Sequence, residues 1–127
     1  MTVLVVEDRE IDRFLMRTLL SQRFEVLTAS TADEAILLAK DNPFEVAILN
    51  VMLKEDMDAI DLLQDLQLIC HPQGFLAYAL TSHVDEPRAR RLIQAGFAAI
   101  LYKPFSAELF QQLLKKEAYP FSVLLSV

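Results

Sequence analysis

The sequence predicts an α/β fold, a parallel sheet with helices packed on both faces. Five short apolar runs recur along the chain, and each is followed by a stretch with helical apolar spacing. The length, 127 residues, fits one domain. Strands alternating with helices imply right-handed crossovers, and these wrap helices onto both faces of a parallel sheet.

Residues 3–6 are a dense run of Val and Leu, as suits a strand buried on both faces. Ile11, Phe14, Leu15, Thr18 and Leu19 follow at helical spacing and mark one face of the first helix. Residues 24–28 read as the second strand. Ser30 or Thr31 caps the second helix, with Asp33 or Glu34 in the reciprocal position and Ala32, Ala35, Ile36 and Ala39 on one stripe. Residues 46–49 form the third strand, and Lys54, Glu55 and Asp56 a polar loop. The third helix carries Ala59, Leu62, Leu63, Leu66 and Ile69, with Cys70 closing the stripe as a small core residue. Residues 75–80 are the fourth strand. Ala89, Leu92 and Ile93 track the fourth helix to Gly96 near its C-terminus. Residues 98–102 are the fifth strand, and Ser106 caps a last helix bearing Leu109, Phe110, Leu113 and Leu114. Pro120 is expected to stop that helix. The expected division is therefore a domain over residues 1–117 and an apolar C-terminal tail over 118–127, which is expected to meet a partner or a second copy, with packing on its own domain or disorder as the alternatives.

Composition excludes several classes. A net charge of −6 repels phosphate backbones, so nucleic acid is not an expected partner. One cysteine makes no disulfide framework. No apolar run approaches the roughly 18 residues that span a bilayer, and an N-terminus acidic from residue 7 is not a signal peptide, so a cytoplasmic chain without a membrane segment is expected. Two glycines build neither a dinucleotide fingerprint nor a P-loop. His71 and His83 have no metal-like companion spacing. Arg88, Arg90 and Arg91 read as a solvated face of the fourth helix, with partner docking as the alternative.

In open parallel sheets, function collects outside the carboxyl ends of the strands. The first strand ends in Glu7 and Asp8, the third in Asn50, the fourth in Thr81 and Ser82, and the fifth in Lys103 and Pro104. Acids, an amide, hydroxyls and an ammonium would thus converge on one edge.

The segments Val-Leu-Val-Val-Glu-Asp (3–8), Ala-Ile-Leu-Asn-Val-Met (47–52), Ala-Leu-Thr-Ser (79–82) and Ala-Gly-Phe-Ala-Ala-Ile-Leu-Tyr-Lys-Pro-Phe (95–105) resemble the receiver domains of two-component response regulators. The likeness covers about residues 2 to 117. It implies a flavodoxin-like, doubly wound (βα)5 fold with a five-stranded parallel sheet in the order 2-1-3-4-5. It also implies that Glu7, Asp8 and the backbone carbonyl of Met52 hold Mg²⁺, that Thr81 binds a phosphoryl oxygen, that Lys103 neutralises it, and that the Lys103–Pro104 bond is cis. Hard oxygen ligands of this kind are what Mg²⁺ takes.

The family's phosphoacceptor aspartate is replaced by Asn50. A neutral amide oxygen is a very poor nucleophile, so no catalytic residue is expected and the chain is not expected to be an enzyme. The change has company: Lys54 stands where the family usually has Pro, Ala59 where it has Gly, and Ile100 where it has the switch aromatic, with Tyr102 two residues too late. The loop from Lys54 to Met57 is also one residue longer than common. These departures fit divergence better than a single engineered substitution. The pocket keeps two carboxylates and one lysine, formally −1 against −2 for the family. A unit charge roughly 4 Å away is worth about 4 kcal/mol at an effective dielectric of about 20. Mg²⁺ is therefore expected to bind weakly or not at all, with Lys103 leaning toward Asp8.

The expected function is a stand-alone receiver domain in phosphorelay signalling, a pseudo-receiver acting by protein–protein interaction without aspartyl phosphate. The alternative is a phosphoaccepting switch whose acceptor has been replaced by Asn50; Asp56 and Asp58 lie past the strand, poorly placed for in-line attack. The expected partner is a signalling protein, such as a histidine kinase or a downstream target, with a homodimer as a further possibility. Ile100 is expected to pack as a fixed core residue.

Overall fold

A computed structural model describes residues 1–52, 58–69 and 74–126, with side chains to residue 116. Along the chain, β1 (Thr2–Val6), α1 (Glu10–Leu20), β2 (Glu25–Ala29), α2 (Ala32–Asp41), β3 (Val46–Asn50), α3 (Ala59–Ile69), β4 (Leu76–Thr81), α4 (Glu86–Ala95), β5 (Ala99–Tyr102) and α5 (Ala107–Ser126) alternate without interruption. The five strands form one parallel sheet in the order β2-β1-β3-β4-β5. The flavodoxin-like doubly wound (βα)5 fold is the one expected. Cys70, His71 and the loop over 53–57, with Lys54 and Asp56, lie outside the described residues.

Because strand side chains alternate between faces, the sheet builds two cores. Leu4, Val6, Ala47, Leu49, Ala77 and Ala79 meet Ala32, Ala35 and Ala39 of α2, Leu62, Leu63 and Leu66 of α3, and Leu92 of α4. On the other face Val3, Val5, Val46, Ile48, Tyr78 and Leu80 meet Met16 and Leu20 of α1 and Phe110 and Leu114 of α5. The Tyr78 and Phe110 rings pack edge to face at 5.5 Å between centroids. Every residue of β3 is buried, and each fully buried Val, Leu or Ile side chain contributes about 1.5–3 kcal/mol.

The expected caps form. Thr31 Oγ1 accepts the Glu34 N–H at 3.1 Å, and Glu34 Oε2 accepts the Ser30 hydroxyl at 2.8 Å. Ser106 Oγ accepts the Leu109 N–H, and Asp85 caps α4 through the Arg88 N–H. Gly96 ends α4 at φ 121°, a backbone setting that glycine adopts without a Cβ penalty. Arg88 is half-buried, Arg91 is exposed, and Arg90 pairs with Glu86 one turn earlier, as on a solvated face.

Two expectations are corrected. The apolar stripe of α1 is not its core face: Ile11, Phe14, Leu15 and Leu19 are exposed, Phe14 by 67%, whereas Met16 and Leu20 are buried. Apolar periodicity marks a face without saying which way it turns, and here the chain entering from β1 and leaving for β2 turns the Asp12–Met16–Leu20 row inward. Pro120 does not end the last helix, since α5 runs through it to Ser126. Proline forfeits one backbone hydrogen bond, at about 3 kcal/mol, but its fixed φ is itself helical, so a helix can pass through it. The tail's side chains lie outside the described residues, and with them its packing.

Candidate functional site

Strand register assembles the site. Val6 of β1 sits beside Leu49 of β3, Asn50 beside Leu80 of β4, and Thr81 beside Tyr102 of β5. The next residue on each strand is then Glu7, Thr81 or Lys103, so the chemistry steps along one carboxyl edge. Asp8, Arg9, Asn50, Met52, Thr81, Ser82 and Lys103 line a depression there that is open to solvent.

Asn50 is buried at its centre and faces both acids. Its amide nitrogen Nδ2 donates to Glu7 Oε1 at 3.1 Å, to Asp8 Oδ1 at 3.0 Å and to the Met52 carbonyl at 3.2 Å. Two N–H protons serve three acceptors, so one is shared. The reverse orientation would set Oδ1 against two carboxylates, which fixes the amide nitrogen toward the acids.

Glu7 is wholly buried. Burial pushes its carboxyl above the usual glutamate range, while the Arg9 N–H on Oε1 and the Lys103 ammonium pull the other way. Lys103 Nζ lies 2.9 Å from Glu7 Oε2, a contact by charge outside hydrogen-bond geometry. The same ammonium donates to Asp12 Oδ2 at 3.0 Å. Burial works to lower the lysine's pKa, but Glu7 and Asp12 outweigh it and hold it above the ordinary lysine value. The expected lean toward Asp8 is thus corrected: Lys103 turns to Glu7 and Asp12, whose oxygens lie within 3.0 Å of its ammonium. Asp12 adds a third carboxylate, but Arg9 Nε lies 3.7 Å from the same Asp12 oxygen, so three acids face two cations and the formal charge stays at −1.

Sequence reasoning missed Asp12. It is the first member of the inward Asp12–Met16–Leu20 row at i, i+4, i+8, and that row was the available signal. Thr81 is buried, but its hydroxyl donates to the His83 carbonyl at 3.0 Å and accepts the His83 N–H at 3.2 Å. It is committed to its own turn. Ile100 is partly buried against the core under α2–α4, and Tyr102 is exposed. Lys103–Pro104 is cis, as the resemblance implied. Asp58 accepts the Asp61 N–H at the start of α3. Among the described residues, no cluster of three or more His, Cys, Asp and Glu side chains is placed to hold a metal.

A model of the response regulator receiver domain matches residues 3–115. The chain belongs to that family. The receiver is similar in structure to the chemotaxis protein CheY4 of Vibrio cholerae, with a TM-score of 0.81 and 23% identity over 91% of this chain and 96% of that one. A receiver domain protein from Clostridium thermocellum aligns at a TM-score of 0.80 and 23% identity, over 97% and 98% of the two chains. The beryllofluoride-activated NtrC4 receiver domain, solved as a dimer, aligns at 0.78 and 28% identity over 91% and 93%. Among curated proteins none matches the chain. As a receiver, this one is set apart by an amide where the family has its acceptor carboxylate. No helix among its described residues is long and apolar enough to cross a membrane.

Proposed function

We propose that this receiver is a pseudo-receiver, a binding module of two-component signalling whose output passes through protein contacts without an aspartyl phosphate. One observation carries the reading. The position ringed by Glu7, Asp8 and Met52 holds the amide of Asn50, whose nitrogen is turned to the acids. In-line phosphoryl transfer needs a nucleophile in that place. A neutral amide does not supply one, and Asp58 is spent on capping α3. In this reading Thr81 and Lys103 are structural members of the pocket.

The partner we propose is a protein of the same signalling class, a histidine kinase or a downstream target, or a second copy of this chain. Family membership and the dimeric NtrC4 relative support it. So does the exposed stripe of Ile11, Phe14, Leu15 and Leu19, an apolar surface of the kind that marks protein contacts. We place the protein in the cytoplasm with its pathway.

Intact mass after treatment with acetyl phosphate and Mg²⁺ tests the reading. The natural chain is expected to gain no phosphoryl mass, and Asn50→Asp to gain one. Phosphorylation of the unmodified chain overturns the pseudo-receiver reading.

A further inference from the structure

We infer that the side-chain amide of Asn50 is a built-in substitute for the divalent cation of this fold, so the receiver is insensitive to Mg²⁺ because its cation site is plugged and not because it has lost charge. The inference deepens the pseudo-receiver reading and rests on it.

The geometry is specific. The three oxygen groups that would hold the cation are Glu7 and Asp8 and the Met52 carbonyl, and all three point at one atom, Asn50 Nδ2, at 3.0–3.2 Å. An amide NH₂ carries partial positive charge on two protons and can satisfy convergent acceptors as a small cation does, without a hydration shell to strip. Mg²⁺ holds its oxygens at about 2.0–2.1 Å and demands near-octahedral geometry. The acceptors as arranged, closed on an N–H donor, do not fit it. Buried carboxylate oxygens without a donor are costly, so the amide stabilises the pair of acids that the acceptor substitution would otherwise leave facing one another.

Charge loss is the competing explanation, and a variant that keeps the charge while removing the amide tells the two apart. Asp12 Oδ2 sits 3.0 Å from Lys103 Nζ and 3.7 Å from Arg9 Nε, so its charge is spent on those two cations and the pocket's formal charge is −1. The lysine is thereby paired with acids at positions other than 50, and the neutral amide of Asn50 donates its hydrogen bonds to Glu7 and Asp8.

Asn50→Ala separates the two explanations, because it leaves the formal charge unchanged and removes only the amide. Mn²⁺ titrated into labelled protein, read as paramagnetic broadening of the amide signals of residues 7–9 and 50–52, reports cation binding without phosphoryl chemistry. The natural chain is expected to show no site-specific broadening at millimolar Mn²⁺, and Asn50→Ala to bind at least about tenfold more tightly. Asn50→Gly, with the same charge and the same expectation, stands in should the alanine variant fail to fold. Broadening of the natural chain at these residues overturns the inference, and so does a truncated variant that binds no better than the natural chain. Neither result bears on the pseudo-receiver reading, which is decided by phosphoryl mass.

Discussion

The Lys103 ammonium stands 3.0 Å from Asp12 Oδ2, a carboxylate 91 residues earlier in the chain. This pair links the end of β5 to the inward row of α1. It gives the lysine a partner that does not depend on position 50. Asp12→Ala is therefore expected to destabilise the domain by about 1–2 kcal/mol, above the usual worth of an exposed pair because the Lys103 side chain is only 17% exposed. Glu10→Ala, on the exposed side of the same helical turn, is expected to stay within about 0.5 kcal/mol. Urea denaturation of both variants checks the contrast, and equal effects would count against the pairing.

Stability should fall on the alkaline side through Lys103. Its folded pKa is raised by Glu7 and Asp12 over the opposing effect of burial. The stabilisation from a raised lysine is fully present below the ordinary lysine value of about 10.4 and is lost as pH climbs through the raised one. Lys103→Met, which strands Glu7 in the interior, is expected to cost about 3 kcal/mol at neutral pH. From neutral pH to about pH 10 the gap between natural chain and variant should hold, and it should close above that range; on the acid side it should narrow as the stranded Glu7 takes up a proton. Chemical unfolding from neutral to alkaline pH measures it, and a gap that persists unchanged at strongly alkaline pH contradicts the assignment.

The two faces of α1 predict opposite responses to truncation. Met16 is buried among Val3, Val5 and Phe110, so Met16→Ala should cost about 2–5 kcal/mol. Phe14→Ser removes a larger side chain from solvent and should change stability by no more than about 0.5 kcal/mol. Thermal unfolding of the pair decides which face packs on the sheet.

The β4–α4–β5 side is expected to be preset. Thr81 is bonded to its own turn and Ile100 has neither ring nor hydroxyl to swing. In the Asn50→Asp variant, which regains the carboxylate that holds beryllofluoride, adding beryllofluoride with Mg²⁺ should therefore leave the backbone NMR shifts of residues 81–105 almost unchanged. Large shifts across that segment would show that a switch survives.

The fold and the membership of the site were legible in the linear pattern. Strand composition, helix spacing and the caps at Thr31 and Ser106 are local, and a parallel sheet needs little more to fix its layers. Likewise Glu7, Asp8, Asn50, Thr81 and Lys103 follow strand ends, and strand ends meet at one edge whenever the sheet is parallel. What the sequence could not settle is direction. The stripe from Ile11 to Leu19 is as periodic as a core face, yet only the path from β1 into β2 decides that Asp12, Met16 and Leu20 turn inward. Helix continuation through Pro120 depends on the helix around it, which a residue-by-residue rule does not weigh. Partner choice among the charges is likewise three-dimensional. Lys103 was expected to lean toward Asp8, but Glu7 and, from the inward row of α1, Asp12 bring their oxygens within 3.0 Å of it instead. Sequence determines which groups reach an edge; packing and distance decide which of them pair, because hydrogen bonds and buried charges are won by whichever partner arrives within about 3 Å.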